Sequence, residues 1–259
     1  MTESHLTHIY RPTNTTMKNT LPFIMLGLAL GLTSTAQNRP PERASAGSLK
    51  SASSPSVGDV LTNYITAIGG TVAWEKLKSQ IAKGTYENDQ MGPGSHALEV
   101  YKKAPDKWLF IIREPDGNVF RQGFNGKVGW NESGELEPDQ VAIFGHLFGL
   151  RSGIDLPRSL PKMKFLKKSK VGNRDAFVIE ATIVEGNHEK LYFDASSGLL
   201  IQEDFGGAAL HYEDYKEVDG VKLPFTIRQE GSPNSTIMFK EIKNNLPIED
   251  AKFGRPKRP

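Results

Sequence analysis

Histidine and carboxylate side chains are the groups in this sequence that could bind a metal ion or transfer protons. In the body of the chain the histidines are His96, His146, His188 and His211. None lies at a metal-ligand spacing from another. His211 shares a strand face only with Glu213, and His96 lies three residues before Glu99. A zinc site would therefore have to be assembled from distant strands. The sequence instead favours solvent-exposed polar side chains at these positions, with no metal site and no cofactor.

Nucleophiles and catalytic motifs are equally sparse. The patterns typical of zinc proteases, serine hydrolases, P-loops, dinucleotide-binding folds and EF-hands do not occur in the sequence. Ser159 and Lys162 have Ser-x-x-Lys spacing, but Pro161 breaks the helix that would bring them together. Ser95 and His96 are adjacent on a predicted strand, so their side chains point to opposite faces. We therefore expect no catalytic residues and no enzyme.

Large apolar side chains form the more informative set, because they gather on a predicted curled sheet and on a helical insertion beside it. The candidate ligand-binding residues are Trp108, Phe110, Phe120, Phe124, Trp130, Phe144, Leu147, Phe148, Phe177 and Ile179. Each of them alone could simply fill a core. A wide curled sheet is hard to fill completely with side chains, so the group predicts a cavity for an apolar ligand. Base stacking is an alternative, but it lacks an accompanying basic stripe.

The elements that position these side chains are mainly short strands. Turn signals such as Asp116-Gly117 and Asn125-Gly126 separate apolar runs, and both dipeptides favour tight hairpins. We predict an N-terminal helix over 59–68, a second short helix capped by Thr71, and a helical insertion over 135–160 that begins near Pro138. The predicted strands are 79–88, 95–103, 106–113, 118–124, 127–131, 163–171, 175–184, 188–195, 199–205, 208–218, 222–230 and 234–243.

This order of elements predicts an α+β fold that is mainly antiparallel β. The strand 106–113 is apolar on both faces, which suits a central strand or one whose inner face lines a cavity. A long antiparallel sheet curls to protect its edges. We expect a curled, incomplete β-barrel of about 11–12 strands, with an N-terminal helix and a helical lid or plug inserted in the middle of the chain.

The N-terminal region has the pattern of an export signal. An apolar run over 21–32 is too short to span a bilayer, follows Arg11 and Lys18, and precedes the small residues 34–36. We predict a signal peptide over 1–36, with translation starting at Met1 or Met17. An uncleaved anchor and a buried helix remain alternatives. A Ser- and Pro-rich stretch follows and predicts a disordered linker over 37–56, before a single domain over 57–259.

Composition excludes several other classes of protein. The 259 residues carry 32 Lys and Arg against 30 Asp and Glu, a net charge of +2, which argues against an electrostatic nucleic-acid binder. The apolar fraction of 37% is typical of a globular chain. The absence of cysteine excludes disulfides, thiolate metal sites and the lipid-attachment cysteine of a bacterial lipoprotein.

Several stretches of the chain resemble the outer-membrane lipoprotein-sorting (LolA-like) superfamily. These stretches are 64–70, 74–84, 103–107, 123–126, 129–130, 191–200, 215–225 and 245–253. They mark turns and strand ends, and the resemblance extends over roughly 57–256. The resemblance implies an incomplete barrel closed by a helical lid around an apolar cavity. In the family's sorting chaperone this cavity carries lipoprotein acyl chains, and other members are envelope-stress sensors or glycolipid carriers. No binding residue of the chaperone matches a numbered position here.

Together these features predict a periplasmic, non-enzymatic carrier that shelters a lipid, an acyl chain or a lipoprotein-like apolar ligand in a half-barrel cavity. The alternative is an envelope sensor or protein-interaction module whose cavity is filled by its own side chains. Its partner would then be another envelope protein. A hydrolase comes third, and it would require inward-facing polar groups with perturbed pKa values around His96, His146 or His211.

Overall fold

The structure is a computed structural model that describes residues 54–91, 93–160, 162–182 and 188–256. The predicted signal peptide and residues 37–53 of the predicted linker lie outside the described residues. Within the described part of the chain, no helix is both long enough and apolar enough to cross a membrane.

The first helix, α1, covers Val57–Ala67 and begins with a capping box. The Ser56 hydroxyl accepts a hydrogen bond from the Asp59 backbone N–H at 3.1 Å, and the Asp59 carboxylate accepts the Ser56 N–H at 3.0 Å. These bonds give partners to two backbone N–H groups that the first turn would otherwise leave without a hydrogen bond. The apolar stripe of α1 carries Val60, Leu61 and Tyr64 and is buried against the rest of the molecule.

The second helix, α2, covers Gly70–Glu75 and starts earlier than predicted. The residue at its N-terminal cap is Gly69, not Thr71, and no side chain caps the helix. Gly69 has a φ of 109°, and a Cβ there would lie 2.1 Å from the carbonyl oxygen of Gly220. The backbone must therefore pass close to a neighbouring turn in a conformation that suits glycine. This close approach, rather than side-chain capping, sets the start of α2.

Twelve strands form one antiparallel sheet, as predicted, and their ends agree closely with those expected from the turn signals. The strands are β1 (Ser79–Asn88), β2 (His96–Lys103), β3 (Lys107–Arg113), β4 (Val119–Phe124), β5 (Gly129–Asn131), β6 (Lys162–Val171), β7 (Arg174–Thr182), β8 (His188–Asp194), β9 (Leu200–Asp204), β10 (Ala209–Val218), β11 (Val221–Glu230) and β12 (Ser235–Asn244).

The order of strands across the sheet is β5-β4-β3-β2-β1-β12-β11-β10-β9-β8-β7-β6. The first and last strands therefore pair in the middle, while β5 and β6 form the two outer edges and leave the curled sheet open. The chain passes from one edge to the other through the helical insertion, which contains α3 (Pro138–Phe148) and α4 (Leu156–Ser159). Pro138 occupies the first turn of α3, as its fixed φ favours.

Two faces of the sheet carry separate cores. We call the face covered by the helices the inner face. It holds the main core, in which the rings of Tyr64 and Phe193 lie 5.2 Å apart edge to face. On β3, Phe110 and Ile112 join this core, while Leu109 and Ile111 point to the outer face. The prediction that this strand is apolar on both faces is therefore confirmed.

The outer-face core is smaller and is covered by the C-terminal segment. A 3-10 helix, Asp250–Phe253, follows β12 and places Phe253 against Trp130, Leu109 and Ile111. The Trp130 indole N–H donates to the Phe253 carbonyl at 2.8 Å. This hydrogen bond fixes the end of the described chain to the short edge strand β5.

Candidate functional site

A cavity of about 100 Å³ lies between the helical insertion and the inner face of the sheet. Its walls are mostly apolar, and strands contribute more of the lining residues than helices do. Aliphatic and aromatic lining residues include Ile68, Leu147, Phe148, Leu150, Leu156, Leu223, Ile227, Phe239 and Ile242. Polar lining residues include Lys102, His146, Glu203, Tyr212, Tyr215 and Lys222. The cavity thus combines an apolar body with a few polar groups, as small-molecule sites usually do.

Six of the predicted ligand-binding residues come together where α3 packs against the sheet. Leu147 and Phe148 line the cavity, and with Phe144 they line an adjoining space of about 30 Å³. The ring of Phe110 lies 5.1 Å from that of Phe148, and the ring of Trp108 lies 5.7 Å from that of Phe144. Phe124 contacts this patch through the Trp108 ring at 6.5 Å. These rings fasten α3 to the sheet.

The other four predicted residues lie elsewhere. Trp130 belongs to the outer-face core and lines neither space. Ile179 is fully buried in the main core, and Phe120 packs partly exposed against the same core. Phe177 lies 6.4 Å from Phe165 and lines a separate surface pocket beside α1. The alternating strand pattern places side chains on a face but does not say which part of that face encloses a cavity.

A cluster of three buried ionisable groups lies at one side of the cavity. His146 comes from α3, Glu189 from β8 and Glu203 from β9. The His146 Nε2 atom is 3.5 Å from a Glu189 carboxylate oxygen and 3.8 Å from one of Glu203. The exposed fractions of the three side chains are 2%, 1% and 3%. His146 and Glu203 line the cavity, so the cluster is in contact with it.

Two features of the strands bring these carboxylates together: the alternation of side chains along β8 and a bulge in β9. Glu189, Leu191 and Phe193 alternate along β8, so all three point to the inner face. On β9, Leu200 pairs with Phe193 and Glu203 pairs with Leu191, and the register shifts between them. In a regular strand, residues three apart face opposite sides. This bulge instead turns both Leu200 and Glu203 inward.

Burial dominates the electrostatics of the cluster. It raises the pKa of Glu189, and the neighbouring Glu203 carboxylate raises that pKa further. Burial also raises the pKa of Glu203, while a hydrogen bond from the Tyr212 phenol opposes the rise. The same desolvation lowers the pKa of His146 to about 4. Low polarity thus disfavours the charged form of all three groups when they have no counter-ion.

A serine fixes the orientation of the His146 ring. The Ser159 hydroxyl donates to the Asp155 carbonyl at 3.0 Å, so its oxygen accepts from His146 Nδ1 at 3.2 Å. The Nδ1 atom then carries the proton, and the Nε2 lone pair faces the two carboxylates. Ser159 is not arranged as a nucleophile, because its only proton goes to a backbone carbonyl and the side chain does not line the cavity.

Lys102 supplies an isolated cation in the cavity wall. It is partly buried, and desolvation lowers the pKa of its ammonium group to about 8. Within the described residues its Nζ has no ion pair or hydrogen bond, whereas its neighbour Lys103 binds Asp250 at 2.7 Å. An unpaired ammonium beside apolar walls favours a ligand that carries a negative charge at one end.

The histidine expectations were wrong at two of four positions. His96 and His146 are buried and His188 is exposed, whereas His211 is in between, with a side chain that is 13% exposed and lies 3.3 Å from Glu230. His146 reaches the carboxylates from a helix, so no spacing along the chain could reveal the cluster. One feature of the sequence could have indicated the cluster: Glu189 lies on the same strand face as the apolar residues Leu191 and Phe193.

Solved structures share this fold at low sequence identity. A domain named as an outer-membrane lipoprotein-sorting protein, from Vibrio parahaemolyticus, gives a TM-score of 0.55 at 13% identity. The match covers 75% of this chain and 94% of that one. A LolA superfamily protein from Nitrosomonas europaea gives 0.56 at 13% identity, over 78% and 99%. No protein-family model and no curated protein matches the chain. The chain therefore has the LolA-like fold, which confirms the resemblance in its architecture.

Proposed function

We propose that this protein is a non-enzymatic carrier of the bacterial cell envelope. It shelters a lipid, an acyl chain or a lipoprotein-like apolar ligand between the sheet and the helical insertion. The observation that carries the proposal is the largely apolar cavity directly beneath α3, in a fold shared with a protein named for lipoprotein sorting. Burying hydrocarbon there would contribute about 0.8 kcal/mol per methylene.

Uptake requires the helical insertion to move. The cavity of about 100 Å³ is smaller than the roughly 150 Å³ cavity that holds a benzene molecule in an engineered protein. A longer chain must therefore displace the rings of Phe144 and Phe148 from the inner face. Gly145 lies within this turn of α3 and lowers its helix propensity, which makes displacement less costly. The observed arrangement is then the closed state of a lid.

The cavity also favours one orientation of an amphiphilic ligand. Lys102 has no counter-ion among the residues that the structure describes, and it lines the wall together with Lys222. A fatty-acid carboxylate or a lipid phosphate would pair with these ammonium groups while its chain occupied the apolar part of the cavity. This orientation extends the carrier proposal to amphiphiles with an anionic end.

The cellular setting is part of the same proposal. The predicted signal peptide over 1–36 would direct export, and the linker over 37–56 would tether the domain over 57–259. Export to the periplasm suits the LolA-like fold of the chain.

The small size of the cavity favours a second candidate, a sensor or interaction module whose cavity its own side chains fill. Such a module would act through its surface. The edge strand β6 is basic on its exposed positions, which hinders the addition of a further strand but attracts acidic partners. Its exposed lysines are Lys162, Lys164, Lys167, Lys168 and Lys170.

The deciding experiment starts from the full chain, expressed with its own N-terminal region in a bacterial host and purified after export. Native mass spectrometry, with lipid extraction alongside, should find an acyl species that denaturation releases. Phe148→Asp should abolish uptake of a fluorescent fatty acid, because it places a charge where the chain must lie. Leu246→Asp, at an exposed position, is the matched control and should bind normally.

The outcomes separate the two candidates. Reproducible co-purifying lipid and a selective loss in Phe148→Asp support the carrier. A ligand-free mass, with no binding when envelope lipids are added back, contradicts it and favours the sensor. Equal uptake by both variants would contradict the lid, since the charge would then lie outside the ligand path.

A further inference from the structure

We propose that His146, Glu189 and Glu203 bind a divalent transition-metal ion, and that this ion ties the helical insertion to strands β8 and β9. The three donors come from three separate elements and converge on one point beside the cavity. The proposal goes beyond the carrier function and does not depend on whether the cavity takes up lipid.

The distances between the donors suit one shared cation. His146 Nε2 lies 3.5 Å from a Glu189 oxygen and 3.8 Å from a Glu203 oxygen, and one donor atom of each residue lies within 4.8 Å of the others. Two ligands of a tetrahedral zinc ion, with bonds of about 2.1 Å, are about 3.4 Å apart. A small closing movement of the carboxylates would complete the coordination.

Most of the donor atoms also lack another partner. Among the described residues, His146 Nε2, both carboxylate oxygens of Glu189 and the Oε2 atom of Glu203 are buried and make no hydrogen bond. The other Glu203 oxygen, Oε1, is the one 3.8 Å from His146 and is not among these unpartnered atoms. Leaving such groups unpaired in a dry interior is unfavourable, because they have lost their hydrogen bonds to water. A dication would satisfy these atoms and neutralise both carboxylates together.

The surroundings of the histidine match those of known metal ligands. Metal-bound histidines usually donate their second ring N–H to a nearby acceptor, which fixes the tautomer. Here His146 Nδ1 donates to Ser159, whose own proton goes to the Asp155 carbonyl. The Nε2 lone pair is therefore already directed at the site, before any ion arrives.

The donor set selects the class of metal. One imidazole nitrogen and two carboxylates, without a thiolate, suit Zn²⁺, Fe²⁺ or Mn²⁺ better than Cu⁺. Ca²⁺ and Mg²⁺ prefer oxygen ligands alone. The cavity, which His146 and Glu203 line, gives the ion a route of entry and leaves room for a water molecule as a further ligand.

The test uses the exported chain, stripped with a chelator and then titrated with Zn²⁺ alone against a chromogenic competitor. Wild type should bind one Zn²⁺ per chain. Glu189→Gln and Glu203→Gln keep the side-chain shape but remove a ligand, so each should weaken Zn²⁺ affinity by at least about 100-fold. Ser159→Ala removes only the orienting partner and should weaken affinity by about tenfold.

Glu230→Gln is the matched control, because Glu230 also lies beside a histidine, His211, but its carboxylate is exposed to solvent. It should bind Zn²⁺ as wild type does. Far-UV circular dichroism of the chelator-treated variants identifies any that do not fold. Wild type that takes up no Zn²⁺, or Glu189→Gln and Glu203→Gln proteins that bind it normally, would overturn the proposal.

A measurement on wild type alone keeps the proposal testable if both variants fail to fold. Hydrogen exchange should slow in α3, β8 and β9 when Zn²⁺ is added, because the ion joins these elements. Exchange in β1–β3 should not change. If Zn²⁺ slowed hydrogen exchange only in some other region, the ion would bind there, and the assignment would be contradicted.

Discussion

The replacement Trp130→Phe should separate the stability of the fold from its ability to bind a ligand. Trp130 was a sequence candidate for the cavity, yet it lies on the outer face against Phe253. The substitution should therefore lower the free energy of unfolding while leaving ligand uptake unchanged.

The expected fall in the free energy of unfolding has two parts, a lost hydrogen bond and a void. The Trp130 indole N–H donates to the Phe253 carbonyl at 2.8 Å in a buried setting, and an unpaired buried acceptor costs about 1–3 kcal/mol. Trp130 is 2% exposed, so the smaller ring also leaves a void, which costs about 1 kcal/mol more. The total is about 2–4 kcal/mol. With a urea dependence of about 2 kcal/mol per molar, the unfolding midpoint should fall by about 1–2 M.

The assay is urea unfolding followed by far-UV circular dichroism, together with a fluorescent fatty-acid titration in the absence of urea. An unchanged slope of free energy against urea would show that the denatured state is not altered. Ligand affinity should remain within about twofold of wild type. If folded Trp130→Phe protein lost uptake by about tenfold or more, the outer-face assignment of Trp130 would be refuted.

Two further predictions concern the cavity and the centre of the sheet. Lys102→Met should weaken binding of a long-chain fatty acid by about tenfold while leaving its uncharged alcohol unaffected, because only the acid can pair with the ammonium. The wild-type preference for the acid should weaken as the pH rises through about 8, where Lys102 loses its charge, and should be greater below that pH. Titrations of both ligands across this range measure the change, and an acid preference that does not decline between low and high pH would exclude Lys102 as a source of it. Gly84→Ala should destabilise the protein by more than about 2 kcal/mol, since a Cβ there would lie 2.1 Å from the Met238 carbonyl oxygen of β12. Thermal unfolding measures the loss, and an unchanged midpoint would mean that the two strands can separate at no cost.

Local signals account for the parts of the fold that the sequence predicted. Gly117 and Gly126 adopt φ values of 94° and 92°, as expected for the turn dipeptides that contain them. Each hairpin depends on residues near in sequence, so its strands could be located from turn chemistry and alternation. The helical insertion was equally visible, because Pro138 and a helical apolar spacing interrupt the strand pattern.

The candidate metal cluster was not visible for a physical reason. Glu189 and Glu203 lie on the neighbouring strands β8 and β9, but His146 comes from α3, and only the packing of the helical insertion on the sheet brings the three together. Glu203 adds a second difficulty, because the bulge on β9 reverses the face that simple alternation assigns to it. The start of α2 at Gly69 also depends on a distant turn, at Gly220.

The pairing of β1 with β12 has a consequence for how the chain is made. The Gln80 side chain donates to Asn244 at 3.0 Å across this central seam, although the two residues are 164 positions apart. At about 5–20 residues per second, on the order of ten seconds or more of synthesis separates the two strands. During that interval the side of β1 that will later pair with β12 is an open edge with unpaired backbone groups, although β1 lies in the interior of the finished sheet. The middle of the finished sheet is therefore the part of the newborn chain that is exposed to wrong partners for longest.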